Sequence, residues 1–242
     1  MIRGLSGFKE WFQGYERYYA IIGGTACELL MSEAGGDFRA TRDIDMVLFI
    51  EALDANFGAR LWEYIRAGGY EYRHASEEKP QFYRFTKPGS PDDYPYMIEL
   101  FSRRIDGFFL PEDAVLTPLP VADDISSLSA ILLDDGYYEF LKSGVRVVDG
   151  LPILDAERLI PFKAKAWLDL TERKAKGGQV DSKHIRKHKN DIITLSRLLQ
   201  PHYQVDLPKN VRDDFADFIN ANSVDIEKLR RVALVYGIVV ET

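Results

Sequence analysis

Residues 39 to 50 read RATRDIDMVLFI, from Arg39 to Ile50, and two carboxylates two positions apart, Asp43 and Asp45, open the apolar part of that run. Side chains of a strand alternate between its faces, so this spacing predicts both carboxylates on one face while Ile44, Met46 and Leu48 turn into a core. Two like charges held side by side repel unless a cation sits between them. An isolated Asp-x-Asp also fits the solvated acidic edge of a strand end, and the flanking segments decide how it is read.

Upstream, Tyr18 to Ile22 is a β-branched and aromatic run that stops at Gly23-Gly24, and Thr25 to Glu33 follows with Ala26, Leu29 and Leu30 on one side. Strand, tight turn and helix in that order offer backbone N–H groups and a helix N-terminus to a phosphate, and glycine lets the phosphate come close to the backbone. A phosphate cradle ahead of paired carboxylates is the layout needed to hold a nucleoside triphosphate with magnesium. Downstream, Ile44 to Ile50 predicts a strand and Asn56 to Arg66 a helix with Leu61 and Ile65 in phase. Phe82 to Thr86 and Tyr96 to Phe101 predict two more strands, with the loop KPGSPDDYP before the last. Glu99 interrupts that last strand, either as a metal ligand or base, or as a residue on a solvent-facing edge. Phosphoryl and nucleotidyl transfer depend on in-line geometry and charge neutralisation, so two or three carboxylates with a metal suffice.

Between residues 111 and 142, Ser126 to Leu133 and Gly136 to Lys142 each suit a short helix. Val145 to Val148 and Leu151 to Leu154 flank Asp149-Gly150, a two-residue hairpin signal. From Asp155 the pattern is helical over 156–173, 182–199 and 208–236, with a strand pattern only in the terminal VYGIVV. The expectation is an α+β chain, with a mixed α/β part at 1–154 and a helical part at 155–242.

Two helices carry further signals. At 100 degrees per residue Leu159, Ile160, Ala166, Trp167 and Leu170 share a stripe with Lys163 at its centre, whereas Lys165 falls opposite. An ammonium on a buried face needs a partner or water, so Lys163 is either a triphosphate ligand or a lysine snorkelling at a domain boundary. In DSKHIRKHKNDIITLSRLL the apolar stripe is Ile185, His188, Ile192, Leu195 and Leu199, with Lys183, Lys187 and Asp191 along its flank. Such a row is ordinarily a solvated face, and a histidine on the stripe is ordinarily a core residue. The charge excess on Lys183, Arg186, Lys187 and Lys189 nevertheless suits an RNA backbone or a triphosphate.

Composition sets the outer limits. The 242 residues are 46% hydrophobic and 12% aromatic, enough for a core without staples, and the single cysteine, Cys27, excludes an intramolecular disulfide framework. Four histidines without zinc-ligand spacing leave a hard, oxygen-bound metal as the expectation. The net charge of −7 argues against a nucleic-acid binder on average, yet Lys163 to Arg197 holds ten Lys and Arg against four Asp and Glu. No signal-peptide run or membrane-length apolar segment is present in the sequence, so a cytoplasmic location is expected.

Taken together, IIGGTACELL, RATRDIDMVL, LIPFKAKAWLDL and KHKNDIITLSRLL resemble the nucleotidyltransferase-fold family of type IV abortive-infection toxins (AbiEii-like), within the DNA polymerase β superfamily. The resemblance spans about residues 18 to 200. It implies a nucleotidyltransferase-type mixed sheet flanked by helices and followed by a helical part. Gly23, Gly24 and Thr25 would contact phosphates, Asp43 and Asp45 would hold Mg2+, Lys163 would bind the triphosphate, and Asp191 would act as base or accessory carboxylate. Asp191 stands in the family's Lys-x-Asp or Lys-Asp element, and here Asn190 separates it from Lys189. The resemblance further implies NMP transfer from an NTP to RNA, in some members the tRNA acceptor end, and a partner antitoxin. Transfer to a small molecule or a protein hydroxyl, and a nucleotide-binding module without turnover, are the alternatives.

Overall fold

Six short runs rich in β-branched and aromatic residues pair into one mixed sheet. In chain order they are β1 (Tyr19–Ile22), β2 (Asp43–Leu48), β3 (Phe82–Thr86), β4 (Met97–Phe101), β5 (Val145–Val148) and β6 (Leu151–Leu154), lying side by side as β3-β4-β2-β1-β6-β5. The structure, a computed structural model of the chain, describes residues 2–49, 51–71, 82–102, 131–132, 134–200 and 202–239. The fold is α+β: the mixed sheet with its helices, then a helical C-terminal part. All six expected strands ahead of the helical part lie within two residues of their predicted bounds. The predicted helix at Ser126 to Leu133 lies outside the described residues except for Ile131 and Leu132, which are helical.

β1 is buried along its whole length, and pairs antiparallel with β2 and parallel with β6. A strand enclosed on both faces reads as a continuous apolar run, which is why Tyr19 to Ile22 shows no alternation. β2 is parallel to β4, and β3 and β5 are antiparallel to β4 and β6. The β5–β6 hairpin turns at Asp149 and Gly150 with φ of 48° and 74°, the paired positive values of a tight hairpin turn.

The chain divides into two compact units, the first built from Met1–Glu33, Asp37–Val121 and Val145–Leu154 and the second from Ala34–Gly36, Ala122–Gly144 and Asp155–Thr242. The first contains the sheet and helices α1 (Leu5–Trp11), α2 (Gly23–Glu33) and α3 (Ala55–Ala67). α1 is not legible as a helix from its sequence, LSGFKEW. It is held instead by Phe8 and Phe12, whose rings lie 4.6 Å apart and pack on Tyr64 at 5.5 and 5.3 Å. Asp54 starts α3 by accepting from Phe57 N at 2.9 Å.

The second unit holds α4 (Asp135–Lys142), α5 (Ala156–Ala175), α6 (Ser182–Leu195), α7 (Lys209–Ala221) and α8 (Ile226–Val235). Asp134, Asp155 and Asp181 cap α4, α5 and α6, accepting from Tyr137 N, Arg158 N and Lys183 N. Pro161 sits inside α5 and cannot donate to Glu157 O, and the buried Tyr236 hydroxyl donates to that carbonyl at 2.8 Å. The helix expected over 208–236 is two helices, broken at buried Asn222, whose amide donates to Phe218 O at 2.9 Å. The expected terminal strand is absent among the described residues. Gly237, at φ 61°, ends α8, with Ile238 N bonding Ala233 O and Gly237 N bonding Leu234 O, a left-handed closure that satisfies the last carbonyls.

Candidate active site

Sheet register assembles a row of charge. On β2, Ile44 and Met46 are fully buried while Asp43 and Asp45 are half-buried on the other face. The parallel pairing sets Asp45 beside Glu99, and the antiparallel pairing on the far side of β4 sets Arg84 beside Glu99. Residues in register on adjacent strands share a face, so Asp45, Glu99 and Arg84 form one line across β2, β4 and β3. Glu99 is 7% exposed, which excludes the solvent-facing edge. Its Oε1 accepts from both Arg84 Nε and Arg84 Nη2, each at 2.6 Å.

Burial first, and then the adjacent Asp45 carboxylate, push the Glu99 carboxyl up to about 8, against the pull of Arg84. At neutral pH Glu99 therefore keeps its proton beside the Asp45 carboxylate.

Gly23 explains the first half of the Gly-Gly pair. It lies directly after β1, opens α2 at φ 68°, and a Cβ there would collide with Asp45 Oδ2. Only glycine combines that backbone conformation with that contact. A Cβ on Gly24 would meet the Thr41 methyl and the Arg39 guanidinium, so the approach to β2 folds over the first turn of α2. Glu28 holds that fold, accepting from Thr41 Oγ1 at 2.7 Å and Thr41 N at 3.2 Å. Thr25 is fully buried and its hydroxyl donates to Asp43 O at 2.5 Å. Its side chain thus ties α2 to the start of β2, leaving the backbone of the turn as the part able to meet a phosphate.

These residues fit a magnesium ion of the kind that binds with its substrate. Among the described residues no group of three or more His, Cys, Asp or Glu is placed to hold a metal by itself. Magnesium is usually held by one or two carboxylates and completes its octahedron with waters and substrate phosphates. The adjacent carboxyl groups of Asp45 and Glu99, oxygen donors only, and the close approach of Asp45 to the Gly23 backbone suit such an ion.

The remaining expected residues lie in the helical unit. Lys163 is 6% exposed on α5 and donates to Asp191 Oδ2 on α6 at 2.8 Å, with Asp191 3% exposed. Asp191 was expected on the flank of its helix and is instead turned inward, because the buried ammonium needs a counter-charge. Burial and then the charge of Lys163 lower His188 to about 3, so its imidazole is neutral, and its buried Nδ1 has no hydrogen-bond partner among the described residues. Lys183, Arg186 and Lys187 are exposed on α6. Lys189 is committed to Asp225 at 2.8 Å, an acid that also pairs with Lys228.

Arg84 is the site residue that the sequence reading missed. The available signal was a charge at the centre of FYRFT answering the opposite charge at the centre of MIELF, two strands joined in sequence by one loop.

No family model matches the chain, and no curated protein matches it. Among solved structures it is similar to one described as the crystal structure of JHP933 from Helicobacter pylori, at 16% identity and a TM-score of 0.44, covering 97% of this chain and 81% of that one. Among the described residues no helix is long and apolar enough to cross a membrane.

Proposed function

We propose that the chain is a magnesium-dependent nucleotidyltransferase that moves a nucleoside monophosphate from an NTP to RNA, with tRNA as the favoured acceptor. One observation carries most of the support: Gly23 lets the Asp45 carboxylate pack against the turn into α2, and Glu99 stands in register beside Asp45. In this reading the backbone of Gly23 and Gly24 meets the triphosphate, and Asp45 and Glu99 hold the metal together with the phosphates, with Asp43 on the same face of β2. An acceptor hydroxyl attacks the α-phosphorus in line and gives up its proton to water, the new P–O bond forms as the bond to the bridging oxygen breaks, and pyrophosphate leaves with the electron pair. Magnesium, when bound, supplies neutralisation of the phosphoryl oxygens.

Exposed Lys183, Arg186 and Lys187 on α6 favour a polyanionic acceptor. The resemblance to abortive-infection toxins extends the proposal to a cytoplasmic toxin restrained by an antitoxin. The engagement of Lys189 with Asp225 and the net charge of −7 favour a second acceptor class, a small molecule or a protein hydroxyl.

The test is incubation of the purified protein with Mg2+, each labelled NTP and total tRNA, beside the Asp43→Ala variant. Label on RNA that disappears with the variant is the expected result. Bound NTP without labelled RNA moves the acceptor to the second class, and absence of NTP binding overturns the enzyme reading.

A further inference from the structure

We infer that Arg84 is the positioning residue of the carboxylate pair, clamping one oxygen of Glu99 so that the other is left to share a divalent cation with Asp45. This rests on the metal-binding part of the proposed function and adds a residue to it.

The geometry of the clamp is specific. Arg84 Nε and Nη2 both reach the same atom, Glu99 Oε1, at 2.6 Å, rather than one oxygen each as in a fork-to-fork pair. Oε1 is therefore the oxygen that these guanidinium nitrogens hold, and the Glu99 carboxyl also hydrogen-bonds Asp45. Strand order settles the direction of approach. β4 lies between β3 and β2, so Arg84 holds Glu99 from one side while Asp45 stands on the other. A cation shared by Asp45 and Glu99 would meet Glu99 on the side away from the guanidinium, which makes Arg84 a support and not a competitor.

Burial makes the support necessary. A carboxylate 7% exposed beside a second carboxylate has every reason to turn away, and glutamate has three side-chain torsions with which to do so. Arginine suits the task because it is permanently charged and offers a rigid set of donors, which lysine does not reproduce. Partners that orient a ligating carboxylate typically change metal affinity by about 10–100-fold when removed.

The experiment uses the full chain and Mn2+ as the probe, with binding followed by the electron paramagnetic resonance signal of free Mn2+, in the presence and absence of NTP. Wild type, Asp45→Asn, Arg84→Met and Arg84→Lys are compared, with the thermal midpoint of each recorded. The expected result is Mn2+ binding by wild type, its loss in Asp45→Asn, a roughly tenfold weakening in Arg84→Met at a retained thermal midpoint, and partial recovery in Arg84→Lys. Should Arg84→Met fail to fold, the Arg84→Lys affinity against wild type decides, because a single point charge cannot clamp Oε1 as the guanidinium does. Arg84 variants that bind Mn2+ as wild type does, while Asp45→Asn does not, overturn the role of Arg84 and leave the metal reading intact. A wild type that binds no Mn2+ even with NTP overturns both.

Discussion

Two pairs of buried or half-buried ionisable groups face opposite electrostatic situations in this chain. In the helical unit Lys163 and Asp191 bring opposite charges together at 2.8 Å, and the pair neutralises itself. In the sheet unit Asp45 and Glu99 bring two carboxyl groups together, and burial with their mutual repulsion raises Glu99 despite Arg84. A self-neutralised pair holds helices in place without any ligand. A like-charge pair of this kind holds a proton at neutral pH, and a cation that binds there must displace it.

The sharpest way to break this contrast is to remove one charge from each pair. Lys163→Met leaves Asp191 buried without its partner and should cost about 3–5 kcal/mol in urea unfolding. The double variant Lys163→Met with Asp191→Leu should recover most of that loss, since a buried ion pair replaced by apolar residues is often neutral. Asp45→Asn should have the opposite sign and raise the stability of the metal-free protein. A destabilising Asp45→Asn would mean that the carboxylate pair is already satisfied within the fold.

The two regions also oppose each other in pH. Glu99 is raised from 4.5 to about 8, so between those values the folded chain binds more protons than the unfolded one, and stability falls as pH rises through that window. His188 is lowered from 6.5 to about 3, so over that range the unfolded chain binds more protons, and stability falls as pH drops below 6.5. Each contribution is on the order of a few kcal/mol. Urea unfolding in EDTA from pH 4 to 9 should show a neutral-to-alkaline decline that Glu99→Gln flattens and an acid decline that His188→Gln reduces. A decline that survives in both variants would assign the pH dependence to other groups.

Much of this was legible in the chain because it is local. Asp43 and Asp45 on one face, the Gly-Gly turn and the placement of Lys163 on a buried stripe follow from periods of 2 and 3.6 residues. What was hidden depends on pairing between distant segments. Arg84 meets Glu99, and Glu99 meets Asp45, only because β3, β4 and β2 adopt one register, and register is set by the packing of the whole sheet. Asp191 looked like a flank residue because its partner, Lys163, sits on another helix. α1 was hidden for a related reason, since a seven-residue helix gains little from propensity and relies on Phe8 and Phe12 finding Tyr64. The split at Asn222 turns on one side-chain bond to Phe218 O, which periodicity does not register.

Gly23 allows the finest test, because the sheet unit contains a control for it. Gly23 and Gly150 both hold positive φ, 68° and 74°. Alanine in that region costs about 1–2 kcal/mol at either position. Their surroundings differ. A Cβ on Gly150 meets only the flexible end of Lys9, at 3.2 Å from Cε, whereas one on Gly23 runs into the Asp45 carboxylate. Gly150→Ala should therefore lose about 1 kcal/mol and keep both Mn2+ affinity and nucleotide transfer. Gly23→Ala should lose a similar amount of stability and, in addition, displace Asp45, which reads out as weaker Mn2+ binding. The difference between the two variants isolates the contact from the backbone strain. Equal Mn2+ affinity in both would show that Asp45 can give way to a methyl group without leaving the metal, and that glycine is required at residue 23 for its conformation alone.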